Sequence, residues 1–146
     1  MKYKLKKYTD QDYEFVYDTK KVCYQKYVEE YFGGWDDAVQ RRMFDELMVK
    51  ESKHTCIVMI NNQMAGFFSD EVDDLGYHIN NICLLPEYRS KGVGTSILND
   101  AFSKHKNQDI YLRVFKSNPV QRLYKRLGFE IYDEKKAHYL MAKWKW

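Results

Sequence analysis

The chain has 146 residues, 45% of them apolar and 31% charged, a balance that fits one folded domain and excludes a disordered chain. Its 24 basic and 21 acidic side chains leave a net charge of only +3, too little to argue for a nucleic-acid partner. Three cysteines, Cys23, Cys56 and Cys83, lack C-x-x-C spacing, so neither a zinc box nor a secreted disulfide framework is expected. Met1 to Lys7 contains no apolar signal-peptide core, and no apolar run approaches the ~18 residues that span a bilayer. A single domain over residues 1–146, cytoplasmic, without metal, membrane or nucleic acid, is the expectation.

In chain order, Lys2–Tyr8 reads as a strand with lysines on one face. Thr9 or Asp10 then caps a long helix to about Tyr31, with Tyr13, Tyr17, Tyr24, Tyr27 and Tyr31 at helical spacing. The Gly33-Gly34 pair ends it, and Asp36 or Asp37 starts a second helix through about Lys50. Cys56–Ile60 and Met64–Phe68 flank the turn Asn61-Asn62 and form a hairpin. The acidic segment Asp70–Asp74 is expected as a solvated turn before a strand from about Tyr77 to Leu85. Gly92–Lys106 reads as helix, Ile110–Phe115 as strand, and Pro119–Leu127 as a helix with proline in its first turn, closed by Gly128. Phe129–Asp133 and His138–Lys143 complete the chain as strands, and Lys143-Trp-Lys-Trp146 reads as a frayed end with indoles over the core. The order β-α-α-β-β-β-α-β-α-β-β predicts an α/β domain with a mixed sheet.

The most informative segment runs from Ile82 to Thr95. An apolar strand meets Pro86, then a loop with Arg89, Lys91, Gly92 and Gly94, then a helix. Glycines let an anion approach the backbone, and the free N–H groups of the helix's first turn point at it. The helix dipole and two cationic side chains add to the attraction. The loop is not a Walker A sequence, because no Gly-Lys pair occurs in the chain, and not a Rossmann fingerprint, because Ile97 stands where its third glycine belongs.

Arg89-Ser-Lys-Gly92-Val-Gly94 resembles the pyrophosphate motif R/Q-x-x-G-x-G/A of the GNAT acyltransferases. A second segment, Leu123-Tyr124-Lys-Arg-Leu127-Gly128-Phe129, resembles the family's later signature, and the element order matches its fold over nearly the whole chain. The resemblance implies a mixed sheet splayed at an acyl-CoA site and flanked by about four helices, with acetyl-CoA as co-substrate. It places the backbone of Ile82, Cys83 and Leu84 along the pantetheine arm. Arg89, Ser90, Lys91, Gly92, Val93, Gly94 and Thr95 would cradle the pyrophosphate. Tyr124 would protonate the departing thiolate after a primary amine, on a small molecule or a peptide, attacks the thioester directly.

Two departures from the family pattern bear on chemistry. Asn80 occupies the strand position where relatives often carry a glutamate base. Asn118 lies six residues before Tyr124, where relatives often place asparagine seven before; Ser117 holds the seventh position, and Asn118 is favoured for the pantetheine side. Glu29, Trp35, Asn80 and His138 are the acceptor-side candidates. The carboxylates and aromatics of residues 29–37 would suit a cationic amine, although a helix–helix loop needs the same residues for capping. His78 is a further base candidate. Cys83 could form a covalent acetyl intermediate, but direct transfer is the family norm and a strand cysteine is usually a core hydrophobe. The alternative reading is a non-catalytic sensor that binds CoA or acetyl-CoA, and homodimers occur in the family.

Overall fold

Short-range chemistry sets most element boundaries in the computed structural model, which describes residues 2–145; Met1 and Trp146, and with them the expected placement of the Trp146 indole, lie outside the described residues. β1 (Lys4–Lys7) is exposed along its whole length, and its three lysines suit an edge strand that must not pair further. Thr9 and Asp12 form a capping box around a 3₁₀ turn, Asp10–Asp12, so the first helix, α1 (Tyr13–Phe32), begins two or three residues later than the sequence suggests. Gly33 closes it at φ +89°, a left-handed geometry that glycine takes without a side-chain clash. Asp36 caps α2 (Asp37–Glu51) by accepting the Val39 N–H at 3.1 Å.

The hairpin of β2 (Thr55–Ile60) and β3 (Gln63–Val72) turns at Asn61 and Asn62, both at positive φ as a tight primed turn requires. β3 continues through Asp70 and Glu71, which corrects the reading of Asp70–Asp74 as a solvated turn. Tyr77 donates its hydroxyl to Asp70 at 2.6 Å, and Asn80 donates to Glu71 at 3.0 Å, so both carboxylates are held by β4 (Tyr77–Leu84). The turn itself is Asp73–Gly76, with Asp73 accepting backbone N–H groups of Leu75 and Gly76. α3 (Val93–Lys104), β5 (Ile110–Phe115), α4 (Gln121–Arg126), β6 (Glu130–Glu134) and β7 (His138–Lys143) follow. α4 is only six residues long, shorter than expected, because the segment at Pro119 is spent on the turn that enters it.

The strands form one mixed sheet in the order β1-β2-β3-β4-β5-β7-β6, with β4 and β5 its parallel neighbours. Alternation along β2 and β3 sends Ile57 and Phe67 to the face covered by α1 and α2, and Val58 and Phe68 to the face covered by α3 and α4. Burying each such side chain contributes roughly 1.5–3 kcal/mol. The described residues contain no helix long and apolar enough to cross a membrane.

The sheet opens in its middle. β4 and β5 pair only at Tyr77 with Ile110 and His78 with Tyr111, then diverge. The cause is visible one strand over: the β3–β4 register jumps from Ser69–Asn81 to Asp70–Ile79, leaving Asn80 bulged. A bulge bends and overtwists its strand, which steers the second half of β4 away from β5.

Candidate acetyl-transfer site

The divergence creates a cleft of about 1080 Å³ that passes from one face of the sheet to the other. On the α3/α4 side it is walled by Ile82, Leu84, Gly94, Asn118, Leu123 and Tyr124. On the α1/α2 side its wall includes Lys20, Tyr24, Tyr27, Glu51, Asn80, Arg113 and His138.

The backbone of β4 is available to a ligand in this gap. Leu85 donates its N–H to Ala65 on β3 at 2.8 Å, so strand alternation turns the polar groups of Leu84 and Ile82 toward the edge that β5 has left. Cys83, the intervening residue, turns its side chain into the core beneath α1 and is 2% exposed. Burial pushes its thiol well above the ordinary value, so it stays protonated and is unsuited to forming an acetyl-cysteine.

At the mouth of the gap, Gly92 caps α3 at φ +82°. The first helical hydrogen bond runs from Ser96 N–H to Gly92 at 3.0 Å, leaving the N–H groups of Val93, Gly94 and Thr95 without intrahelical partners. A Cβ at Gly92 would meet nothing within 4 Å, and one at Gly94 only Leu84 Cδ1 at 3.9 Å, so a phosphate has room to reach this backbone. Ser90 (φ +61°) and Lys91 are exposed on the same loop. Arg89, also exposed, reaches back toward β4 and α1. Its Nε donates to the Leu84 carbonyl at 2.9 Å and its Nη2 lies 3.4 Å from Cys23 Sγ. The guanidinium thus ties the loop to β4 and α1, while the loop backbone faces the cleft.

Tyr124 is 7% exposed, with its ring edge-on to Phe129 at 5.9 Å. Burial, with Cys83 nearby, holds its hydroxyl far above the ordinary tyrosine value, so it carries a proton at neutral pH. Asn118 lines the gap and caps the following turn, accepting the Val120 N–H at 2.9 Å. Ser117 turns away and donates to Glu30 at 2.8 Å.

The acceptor-side candidates separate. Trp35, Asn80 and His138 line the cleft. Glu29 is exposed at the end of α1 and is not among the lining residues. Asp36 and Asp37 are occupied locally: Asp37 accepts from Trp35 Nε1 at 2.8 Å, Tyr17 at 3.0 Å and Lys21 at 3.1 Å. Burial, followed by the charges of Arg113 and Lys135, pulls His138 down to about 4, so its imidazole is neutral at physiological pH. His78 is hydrogen-bonded to Asp73 at 2.8 Å and stacked on Tyr111.

Sequence reading missed four groups. Asn80 donates to Glu51 Oε2 at 3.4 Å as well as to Glu71, so a helix-borne carboxylate stands beside the position that lacks its own. Burial, then the neighbouring Glu71, raises Glu51 above the usual carboxylate range. Tyr24 donates to Asn81 Oδ1 at 3.2 Å from the tyrosine stripe of α1. Lys20 and Arg113 face the same space from α1 and β5. No linear motif marks these residues, because they meet only across the sheet face.

The comparisons agree with this geometry. The acetyltransferase (GNAT) family matches residues 20–129. An N-alpha-acetyltransferase of Saccharolobus solfataricus is 37% identical over 78 residues, 45% of this chain and 47% of that protein, so the chain spans about half the length of this curated relative. A putative ribosomal protein bS18-alanine N-acetyltransferase of Bacillus subtilis is 28% identical over 100 residues, 66% of each. In three dimensions the chain resembles the PaiA N-acetyltransferase of Thermoplasma acidophilum in complex with coenzyme A, with a TM-score of 0.76, 18% identity and 99% of both chains covered. It also resembles Arabidopsis thaliana Naa50 in complex with the bisubstrate analogue CoA-Ac-MVNAL, with a TM-score of 0.65, 23% identity and 98% of this chain against 99% of that one. These structural likenesses establish the fold, and the family match extends over most of the sequence: the chain belongs to the acetyltransferase (GNAT) family.

Proposed function

We propose that the whole chain is one acyl-CoA-dependent N-acetyltransferase domain, moving the acetyl group of acetyl-CoA to a primary amine by direct attack in a ternary complex. The observation that carries this reading is the gap between β4 and β5, open to the backbone of Ile82 and Leu84 and ending at the Gly92-capped start of α3. Ile82 and Leu84 hold the pantetheine arm by main-chain hydrogen bonds, with Cys83 fixing their orientation from the core. The loop from Arg89 to Thr95 receives the pyrophosphate, with Lys91 adding charge. Asn118 lies along the pantetheine on the opposite wall.

Glu51, beside Asn80, accepts the proton that an ammonium must lose before its nitrogen can attack the thioester carbonyl. The backbone N–H groups of the open β4 edge stabilise the oxyanion that develops. As the carbon–sulfur bond breaks, Tyr124 gives its hydroxyl proton to the departing sulfur. Trp35 and His138 line the acceptor side, and the acceptor is a small-molecule or peptide amine. The N-alpha-acetyltransferase relatives support the peptide amine, and an acetyl-CoA-dependent reaction on it suits the cytoplasm. The reading needs no metal, nucleic acid or membrane, and a homodimer is carried over from the family resemblance alone.

The test is transfer from isotope-labelled acetyl-CoA to pooled polyamines, amino acids, aminoglycosides and peptides, read by mass spectrometry. A labelled amide is the expected result. Tight CoA binding with no labelled product from any amine would instead identify a non-catalytic acyl-CoA sensor, the reading that the missing carboxylate at Asn80 would favour.

A further inference from the structure

Some charged side chains around the helical layer on this face of the sheet are held in ion pairs. Lys21 pairs with Asp37 at 3.1 Å, Arg41 with Glu14 at 2.8 Å, and Lys6 with Asp12 at 3.2 Å. Two cations on the cleft wall, Lys20 and Arg113, have no such ion pair and lie near each other. Lys20 belongs to the inward stripe of α1 that includes Val16, Cys23 and Tyr27, and it sits among Cys83, Arg113 and Glu51. Among the described residues it makes no ion pair or hydrogen bond; its ammonium rests over the Phe44 ring at 5.6 Å. Arg113 projects from β5 on the face it shares with Leu140 and His138 of β7, and it too has no carboxylate partner among the described residues.

Two unpaired cations facing one cleft repel each other, and withdrawing an ammonium from water is costly without a compensating anion. Burial and the charge of Arg113 both act against the protonated form of Lys20. Of the neighbouring acids, Glu51 offsets this only in part and forms no ion pair with Lys20 among the described residues. Glu51 and Glu71 turn oxygens toward the Asn80 amide, and Glu71 also lies 3.7 Å from His54. His138, on β7 close enough to feel the Arg113 charge, is neutral and offers no counter-charge. The wall therefore has two poles, with carboxylates at Asn80 suited to an ammonium and cations at Lys20 and Arg113 suited to a carboxylate.

We propose that Lys20 and Arg113 form a carboxylate subsite in the acceptor half of the cleft, and that the acceptor is a peptide whose first residue is acidic. The proposal rests on the acetyltransferase reading and deepens it by naming the acceptor's chemistry. Arg113 presents the planar fork that matches a carboxylate, and Lys20 adds a point charge from α1. The peptide's α-amine then lies toward Asn80 and Glu51, where its proton can be removed.

The test compares pentapeptides that differ only in their first residue, Glu, Asp, Ala or Lys, with free glutamate as a separate arm. kcat/KM for the acidic peptides is expected to exceed that for the alanine peptide by roughly tenfold or more, the usual scale of a charge-assisted contact. Lys20→Met and Arg113→Gln should each pull this ratio toward unity, chiefly through KM. Equal or better turnover of the alanine or lysine peptide would overturn the subsite while leaving the acetyltransferase reading intact. Transfer to free glutamate but to no peptide would keep the carboxylate subsite and overturn the peptide as its source.

A second measurement does not depend on turnover. Binding of the N-acetylated product peptides to the CoA complex, followed by NMR titration, should favour the acidic products in the wild type and lose that preference in both variants. Indifference to the first residue there overturns the proposal even if no amine is acetylated, whereas failure of transfer alone would count against the catalytic reading.

Discussion

Arg89 Nη2 lies 3.4 Å from Cys23 Sγ, so the loop before α3 is tied to α1 by a guanidinium–thiol contact. The same sulfur is a hydrogen-bonding neighbour of Cys83 and lies 3.6 Å from the Leu84 carbonyl. The Cys83 hydrogen bond, helped by Arg89, outweighs burial and lowers the Cys23 thiol below its ordinary value. Iodoacetamide should therefore label Cys23 first among the three cysteines, with a rate that rises with pH through a midpoint below that of an ordinary thiol. Buried Cys83 should stay unlabelled in the native protein. Peptide mapping after timed alkylation checks both points, and a Cys23 midpoint at the ordinary thiol value would contradict the assigned contact.

Tyr124→Phe removes one oxygen and keeps the ring that packs on Phe129. CoA affinity and melting temperature should change little, while kcat falls about 10²–10⁴-fold, the usual scale for losing a positioned proton donor. Rapid-quench kinetics with the best acceptor, beside calorimetric CoA titration, separates the two effects. Unchanged kcat would remove Tyr124 from the proton-transfer step.

Glu51 works as a base only when ionised, and burial together with Glu71 raises its pKa above the usual carboxylate value. Lowering the pH through that raised value should protonate Glu51 and reduce kcat/KM, placing the acid limb of the profile above the 4.5 of an unperturbed glutamate. Glu51→Gln should lower kcat and flatten that limb. A variant that keeps the wild-type limb would assign it to another group.

Gly66 illustrates a backbone demand of the site's floor. A Cβ there would stand 2.0 Å from the Cys83 carbonyl oxygen and 2.9 Å from Leu84 Cα, both main-chain atoms that cannot swing aside. Gly66→Ala should push β3 and β4 apart. It is expected to cost about 1–3 kcal/mol, or several degrees of melting temperature for a chain this size, with weaker CoA binding beside it. Thermal unfolding and CoA titration of this variant test the link between strand spacing and the gap.

The order of elements was legible in the sequence, as was the glycine-bearing loop that opens α3 at the mouth of the gap. Those features are local: a glycine at a helix start, a hairpin at Asn61-Asn62 and a tyrosine in a short helix each act within a few residues of themselves. The extent of β3 was not legible, because Asp70 and Glu71 look like turn residues until Tyr77 and Asn80 on the paired strand accept the role of partners. Nor did the motif reveal that Arg89 folds back onto Leu84 and Cys23.

The other wall of the cleft, where the acceptor is proposed to bind, was decided by tertiary structure. Lys20, Glu51, Asn80 and Arg113 come from α1, α2, β4 and β5, and no fixed spacing links them. The Asn80 bulge and the divergence of β4 from β5 bring them around one space, and burial within it pushes Lys20 down and Glu51 up. A carboxylate absent from the strand could therefore be supplied by the end of a helix, because proton transfer depends on distance in space rather than on position along the chain.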